Sequence, residues 1–221
     1  MNGPTNSKIG LVCFDWGGVI LRICRTWEEA CAAAGVDVRP QASGVETDPG
    51  RREIVRAHQE GRLEFAAYTR ALSESLGGVY SAEEVARIHD AWLLHEYPGV
   101  AGLIDDLHAR SVQTALLSNT NERHLLRGLS ASEGGMGQFP TAHRLGHRLY
   151  SHREGLSKPG TGFYEALVRR SGASPASILF FDDLEENIAT ARALAWRAVR
   201  VDPHADTAGQ MRASLREHGV L

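Results

Sequence analysis

Three short apolar runs, IGLVCF at 9–14, VQTALL at 112–117 and SILFF at 177–181, each stop at a polar residue suited to chemistry. The first delivers Asp15, the second Ser118-Asn119 and the third Asp182-Asp183. Runs this short and this uniformly apolar read as strands buried on both faces, the pattern of a parallel sheet. A fourth run, RAVRV at 197–201, continues the series. Helical spacing fills the intervals. Val100, Leu103, Ile104 and Leu107 fall on one face, and Phe163, Leu167 and Val168 share another before Gly172, a natural left-handed stop. Strands alternating with helices predict an α/β doubly wound, Rossmann-like parallel sheet whose ligand site lies at the carboxyl ends of the strands.

The stretch from Leu21 to Tyr97 breaks this alternation. EEACAAAG, RREIVRAHQEG, EFAAYTRALSESLG and SAEEVARIHDAWL are helical in pattern, so a small helical bundle is expected as an insertion after the first strand, with QASGVETDPG (41–50) as its flexible loop. The expected division is a core of 1–20 and 98–221 with a helical cap of 21–97. The Gly-rich piece SEGGMGQFP (132–140) lacks the GK[ST] ending of a phosphate loop and has no strand feeding it, so it is expected to be a surface loop.

Composition removes several classes of function. The 221 residues are 43% hydrophobic, enough for one sizeable core with an attached subdomain. The formal charge is −3 and the basic residues form no run, which argues against a nucleic-acid partner. The opening MNGPTNSKIG carries no apolar stretch, and nothing approaches a membrane span, so a cytoplasmic protein is expected. Cys13, Cys24 and Cys31 are odd in number and lack CxxC spacing, which suits small buried side chains in a reducing compartment. No heptad repeat or apolar tail points to an oligomer. Of the 24 basic residues only Lys8 and Lys158 are lysines. An ammonium kept where arginine is the habit suggests a compact charge fitted between carboxylates and a phosphate.

Taken singly, each polar residue has an ordinary reading. Asp15 could close a turn at Gly17-Gly18, Ser118, Asn119 and Thr120 could cap the helix of ERHLLRGL, and Lys158 could be solvated before Pro159. Asp182-Asp183 resists this, because adjacent carboxylates at the end of an apolar strand repel unless a cation compensates. Together the residues complement one another. Asp15 can attack phosphorus, Ser118 and nearby backbone donors can hold phosphate oxygens, and Lys158 can neutralise nucleophile and phosphoryl group. Asp182 and Asp183 can hold Mg²⁺, which favours carboxylate oxygens, water and phosphate.

FDWGGVI, LLSNTNERH, GLSKPGTGFYEAL and ILFFDDLEENIATARALAW, in this order from residue 11 to about 201, resemble the four motifs of the haloacid dehalogenase superfamily, in its subgroup with a helical cap after the first motif. The resemblance implies Asp15 as nucleophile, Ser118 and Asn119 as phosphate binders, and Lys158 as the stabilising cation. It also implies a Mg²⁺ site made of Asp15, Asp182, Asp183 and the Gly17 carbonyl. Within the superfamily LSNTN, SHREGLSKP and FFDDLEENI are most similar to bacterial sugar phosphatases of the α-D-glucose-1-phosphate phosphatase type, which implies a small phosphorylated metabolite as partner.

Phosphatases of that superfamily usually carry a second aspartate two residues after the nucleophile, as general acid and base; here that position is Gly17. Such help is typically worth about 10²–10⁴-fold. One reading is a phosphatase whose leaving group is undemanding, such as the hemiacetal oxygen of a sugar 1-phosphate, or one in which His58 or His152 moves the proton. A second is a dehalogenase, which needs no leaving-group proton; the retained Asp182-Asp183 pair disfavours it. A third is a weakly catalytic binder of a phosphorylated ligand or partner, disfavoured by the intact nucleophile and lysine. The first reading is adopted, with Arg22, His58, Arg62 and Trp92 as candidate cap residues that choose the substrate.

Overall fold

The computed structural model describes residues 8–39 and 47–221; the polar opening and most of the QASGVETDPG loop lie outside the described residues. In chain order the elements begin with β1 (Leu11–Phe14), β2 (Leu21–Ile23), α1 (Trp27–Ala34), α2 (Pro49–Gln59), α3 (Phe65–Ser75), α4 (Ala82–Asp90) and β3 (Leu93–Glu96). They continue with α5 (Val100–Ala109), β4 (Gln113–Ser118), α6 (Glu122–Gly128), β5 (His147–Tyr150), α7 (Ser151–Glu154) and α8 (Thr161–Ser171). The last are β6 (Ile178–Asp182), α9 (Glu185–Ala193), β7 (Arg197–Arg200) and α10 (Thr207–Glu217).

Five strands form one parallel sheet in the order β5-β4-β1-β6-β7. The chain departs from β1 first to β4 on one side and later to β6 on the other, so the strand order reverses at β1, where a crevice opens at the carboxyl ends. The apolar runs are buried on both faces as their composition requires. Leu11 and Cys13, Ala115 and Leu117, and Ile178 and Phe180 pack with Phe163, Leu167 and Ile188 of α8 and α9. Val12 and Phe14, Leu116, and Leu179 and Phe181 pack on the other side with Leu103, Leu107, Met211 and Leu215 of α5 and α10. Strict period-two alternation thus divides each strand between two cores.

Helices α1 to α4 share a third core, made of Trp27, Cys31, Tyr68, Leu72, Tyr80, Val85 and Ile88. Their ends are well capped: Thr26, Asp48 and Ser81 each accept a backbone N–H, and Ser81 with Glu84 forms a reciprocal capping box. A small antiparallel ribbon of β2 and β3 carries the chain into and out of this unit. The three cysteines are buried thiols, and among the described residues no helix is long and apolar enough to cross a membrane. The Gly-rich stretch runs over the surface, where Met136 is exposed.

Candidate active site

Register brings the strand ends together. Phe14 is level with Leu116 on β4 and Phe181 on β6, and the backbone N–H of Asp15 donates to the Phe181 carbonyl at 2.9 Å. Asp15, Ser118 and Asp182 therefore emerge side by side at one edge of the sheet, all buried. Lys158, from the loop before α8, reaches between two of the acids: its Nζ lies 2.8 Å from Asp15 Oδ1 and 2.7 Å from Asp182 Oδ2. The lone ammonium that stood out in the sequence is thus a buried bridge, whereas Lys8 is exposed.

The supports of these groups are as informative as the groups. Asn119 Nδ2 donates to the Lys158 carbonyl at 2.8 Å and Asn119 Oδ1 accepts from the Lys158 N–H at 2.9 Å. Its amide therefore fastens the lysine backbone from both sides. Asp182 is oriented by Asn187 Nδ2 at 2.9 Å and by the Leu184 N–H at 2.9 Å, and Asp15 Oδ1 accepts from the Trp16 N–H at 2.7 Å. The α6 cap is Asn121, whose side chain accepts from the His124 N–H at 3.0 Å; Ser118 is still in the strand.

Asp15, Asp182 and Asp183 place carboxylate oxygens within 4.8 Å of one another. Burial, opposed by Lys158 and reinforced by the other two acids, pushes the Asp15 carboxyl up to about 7. Burial also raises Asp183, against the pull of Arg25, whose Nη1 sits 2.6 Å from its Oδ2. Burial alone would lower the Lys158 ammonium, but Asp15 and Asp182 overcome it and hold it above the ordinary lysine value. Crowded acids disfavouring their own ionisation are the donor set a hard divalent cation relieves, so these residues fit Mg²⁺. Gly17 stands beside them: the bonds closing this turn are accepted by Trp16 and Leu21 carbonyls, leaving the Gly17 carbonyl outside them. At Gly18, φ is +83° and a Cβ would come within 2.6 Å of Asp183 Cγ, so only glycine lets the turn pass beneath the acid.

Above the strand ends lies a cavity of about 420 Å³, roofed by the α1–α4 unit. Asp15, Gly17, Ser118, Asn119, Lys158 and Asp183 line its floor. His58, Tyr68, His89 and Trp92 line the helical side. Of the four residues expected there, His58 and Trp92 are present. Arg22 is turned away to Glu29 and the Ile23 carbonyl, and Arg62 to Glu53 and Glu60. His152 is held between the Thr120 carbonyl at 3.2 Å and Glu122 Oε2 at 2.9 Å, off the cavity wall. Sequence reasoning missed Arg25 and Asn187. The latter carried a usable signal, lying five residues after Asp182 in the first turn of a helix; the former had none.

Comparison with known proteins adds to this geometry. Residues 9–194 match the model of the haloacid dehalogenase-like hydrolases. Phosphatase MT3486 of Mycobacterium tuberculosis (strain CDC 1551 / Oshkosh) is 25% identical over 65% of the chain. The chain spans 64% of that protein's length and 18% of a much longer Mus musculus relative that it matches at 27% identity. Among solved structures, a predicted HAD-like family hydrolase from Porphyromonas gingivalis superposes with a TM-score of 0.75 at 23% identity, covering 95% of this chain and 99% of that one. The HAD family enzyme bt-2542 from Bacteroides thetaiotaomicron, in complex with magnesium and inorganic phosphate, superposes with a TM-score of 0.69 at 19% identity, covering 92% and 100%. At these identities the structural likeness is one of fold.

Proposed function

This chain belongs to the haloacid dehalogenase-like hydrolase family, and from that premise we propose that it is a Mg²⁺-dependent phosphatase acting on a small phosphorylated metabolite, a sugar phosphate, through a phosphoryl group carried on Asp15. The observation that carries this reading is the buried bridge Asp15–Lys158–Asp182 with Asp183 beside it, at the carboxyl edge of the sheet and under the cavity.

In this reading Asp15 attacks phosphorus and the bond to the leaving oxygen breaks. The Lys158 ammonium neutralises charge on the transferring group, and the Ser118 hydroxyl donates to one of its oxygens. Asn119 keeps Lys158 in place. Asp15, Asp182, Asp183 and the Gly17 carbonyl would hold Mg²⁺, which when bound supplies Lewis-acid stabilisation of phosphoryl charge. Water then attacks phosphorus and returns Asp15 as a carboxylate. The segment 21–97 serves as the cap over the core of 1–20 and 98–221, excluding bulk water while the phosphoryl group is on the enzyme.

The substrate class rests on three supports. The leaving oxygen of a sugar 1-phosphate is less basic than an ordinary alkoxide, which suits a site with glycine at position 17. Trp92, Tyr68 and His58 line the cavity wall, where a sugar ring would pack. The motif likeness to α-D-glucose-1-phosphate phosphatases points the same way. Dehalogenation is disfavoured by the three-carboxylate cluster, which displacement of a halide does not use.

The test is inorganic phosphate release from sugar phosphates, acyl phosphates and p-nitrophenyl phosphate, with Mg²⁺ or EDTA and with Asp15→Asn as the blank. Mg²⁺-dependent release favouring sugar 1-phosphates is expected. Release by Asp15→Asn at the wild-type rate would remove the mechanism, and chloride release from a haloacid without phosphate release would replace it with the dehalogenase reading.

A further inference from the structure

The end of α4 is joined to the start of α6, and the joint is built on two stacked imidazoles. The rings of His89 and His124 have centroids 3.9 Å apart and planes inclined by 21°, and both side chains are buried. His124 Nε2 lies 2.8 Å from the His89 carbonyl, and a carbonyl only accepts, so that nitrogen carries a proton. Asn121 Oδ1 accepts from the His124 N–H at 3.0 Å, which makes the other arm of its amide the NH₂ group, 3.1 Å from His89 Nε2. His89 Nε2 therefore accepts, and the ring is neutral with its proton on Nδ1.

Asn121 ties this joint to the cavity. It caps α6 three residues after Ser118, and it lines the cavity together with Ser118, Asn119, His89 and His124. A proton added to His89 Nε2 sets N–H against the Asn121 NH₂ group. Turning the amide over gives His89 an acceptor, but it withdraws Oδ1 from the His124 N–H and uncaps α6. One hydrogen bond is lost either way. A proton added to His124 Nδ1 places a charge beside the stacked ring, and a proton on each ring places two like charges face to face.

We propose that His89, His124 and Asn121 form a proton-sensitive clasp, which holds the α1–α4 unit on the sheet core while both imidazoles are neutral and lets α4 part from α6 when they take up protons. The clasp does not depend on what the cavity binds.

The surroundings favour the neutral pair. From α2 and α3, His58, Phe65 and Tyr68 set their rings 5.6, 5.0 and 5.5 Å from that of His89. From α6 come two cations: Arg123 grips both carboxylate oxygens of Asp90, and Arg127 donates to the Asp90 carbonyl. Asp90 is the one carboxylate among these groups, with Oδ1 3.7 Å from His89 Nδ1, and Arg123 already neutralises it. Burial is the strongest influence on both rings, holding His89 below its ordinary value and His124 well below. The closed joint therefore binds protons more weakly than the open one. Its stability is present above the ordinary imidazole value of about 6.5 and is lost as pH falls below it. The acids of the cavity floor, whose values are raised, act with the opposite sign.

Hydrogen exchange read by mass spectrometry from pH 5 to 8 in EDTA, corrected for the intrinsic rate at each pH, tests the clasp in wild type and in His89→Gln/His124→Gln. Glutamine offers an acceptor near the first Nε2 and a donor near the second, and it does not titrate. In wild type the protection of the α4 end and of α6 is expected to fall below about pH 6.5, by up to about tenfold per pH unit for each imidazole, while β1 and β4 stay protected. In the double variant the protection of α4 and α6 is expected to be flat. Wild-type protection that does not change with pH, an equal fall in the double variant, or a fall shared by β1 and β4 overturns the clasp. If the double variant has already lost this protection at pH 8, the C2 proton resonances of the two wild-type imidazoles decide. Both are expected to titrate below the ordinary value, and titration of either ring at or above it overturns the proposal.

Discussion

Gly17 can be given back its carboxylate, and the structure says what stands in the way. A Cβ at position 17 would lie 2.8 Å from Ile23 Cδ1, while the Ile23 Cγ atoms stand at an ordinary 3.5 Å. Gly17 is not among the glycines with positive φ, so aspartate meets no backbone penalty there. The single substitution Gly17→Asp should therefore cost about 1–3 kcal/mol through overpacking. Ile23→Val removes Cδ1 alone and should cost about 0.5–1 kcal/mol at this half-buried position. The double variant Gly17→Asp/Ile23→Val should fold with less strain than the single one. Both residues line the cavity, so the new acid faces the leaving group. Its carboxyl joins three buried acids, whose repulsion favours the protonated form that donates. The gain should be selective: about 10²–10⁴-fold, or roughly 3–5 kcal/mol, for alkyl phosphates that leave as strong bases, and little for aryl phosphates. The assay is kcat/KM across a series of leaving-group pKa values, with Tm and Mg²⁺ dependence measured beside it. A flatter dependence in the double variant supports the reasoning. A folded, Mg²⁺-responsive double variant with the wild-type slope would refute it and show a site built around glycine.

Asn119→Ala should strip the Lys158 backbone of both amide bonds at once, destabilising the fold by about 2 kcal/mol and lowering Tm by roughly 4–8 °C; kcat should fall by more than tenfold with a smaller change in KM, and an unchanged kcat would mean that Lys158 is held elsewhere. Burial and acidic neighbours raise Asp15 from its ordinary value to about 7 and raise Asp183 as well, so between about pH 4 and 7 the native state without metal binds more protons than the unfolded chain. Its stability should fall as pH rises through that window. Mg²⁺ binds the ionised acids, so its stabilising effect should grow over the same window. Thermal melts in EDTA and in Mg²⁺ from pH 5 to 8 check this, and a Mg²⁺-induced shift that is absent or independent of pH would count against the assigned cation site.

The part of this molecule legible in the sequence is the part where one physical rule decides the outcome. Three strands, β1, β4 and β6, were readable because burial on both faces demands unbroken apolar runs; β7 was readable from RAVRV although it is a half-exposed edge strand. The fifth, β5, was not: His147 and Arg148 are half-exposed on an edge strand paired only with β4, and HRLY has no apolar run to find. The ribbon of β2 and β3 escaped for a related reason, since three or four residues within a helical stretch carry too short a pattern. Strand ends projected Asp15, Ser118 and Asp182 correctly because period and register leave little freedom. Asn119 shows where that logic stops. Its place in the chain is readable, but the partner of its amide lies in a loop thirty-nine positions away, and only the folded chain joins them.

Under the proposed function, the same charge geometry gives the cation a part in substrate binding as well as in chemistry. Three buried carboxylates, Asp15, Asp182 and Asp183, face two cations, Lys158 and Arg25, so the floor of the cavity repels a phosphate dianion when all are ionised. Lys158 already divides its contacts between two acids, and Arg25 is committed to Asp183, so neither can turn wholly to the ligand. A divalent cation on the carboxylates would reverse the sign of the floor, and between buried side chains that reversal is screened less than it would be in bulk water. Inorganic phosphate should therefore compete with substrate only when Mg²⁺ is present. Arg25→Gln, which leaves one negative charge more on the floor, should make Mg²⁺ bind more tightly while phosphate still depends on it. Calorimetric titration of Mg²⁺ and then of phosphate separates the two effects, and phosphate binding in EDTA as tight as in Mg²⁺ would contradict this account of the electrostatics.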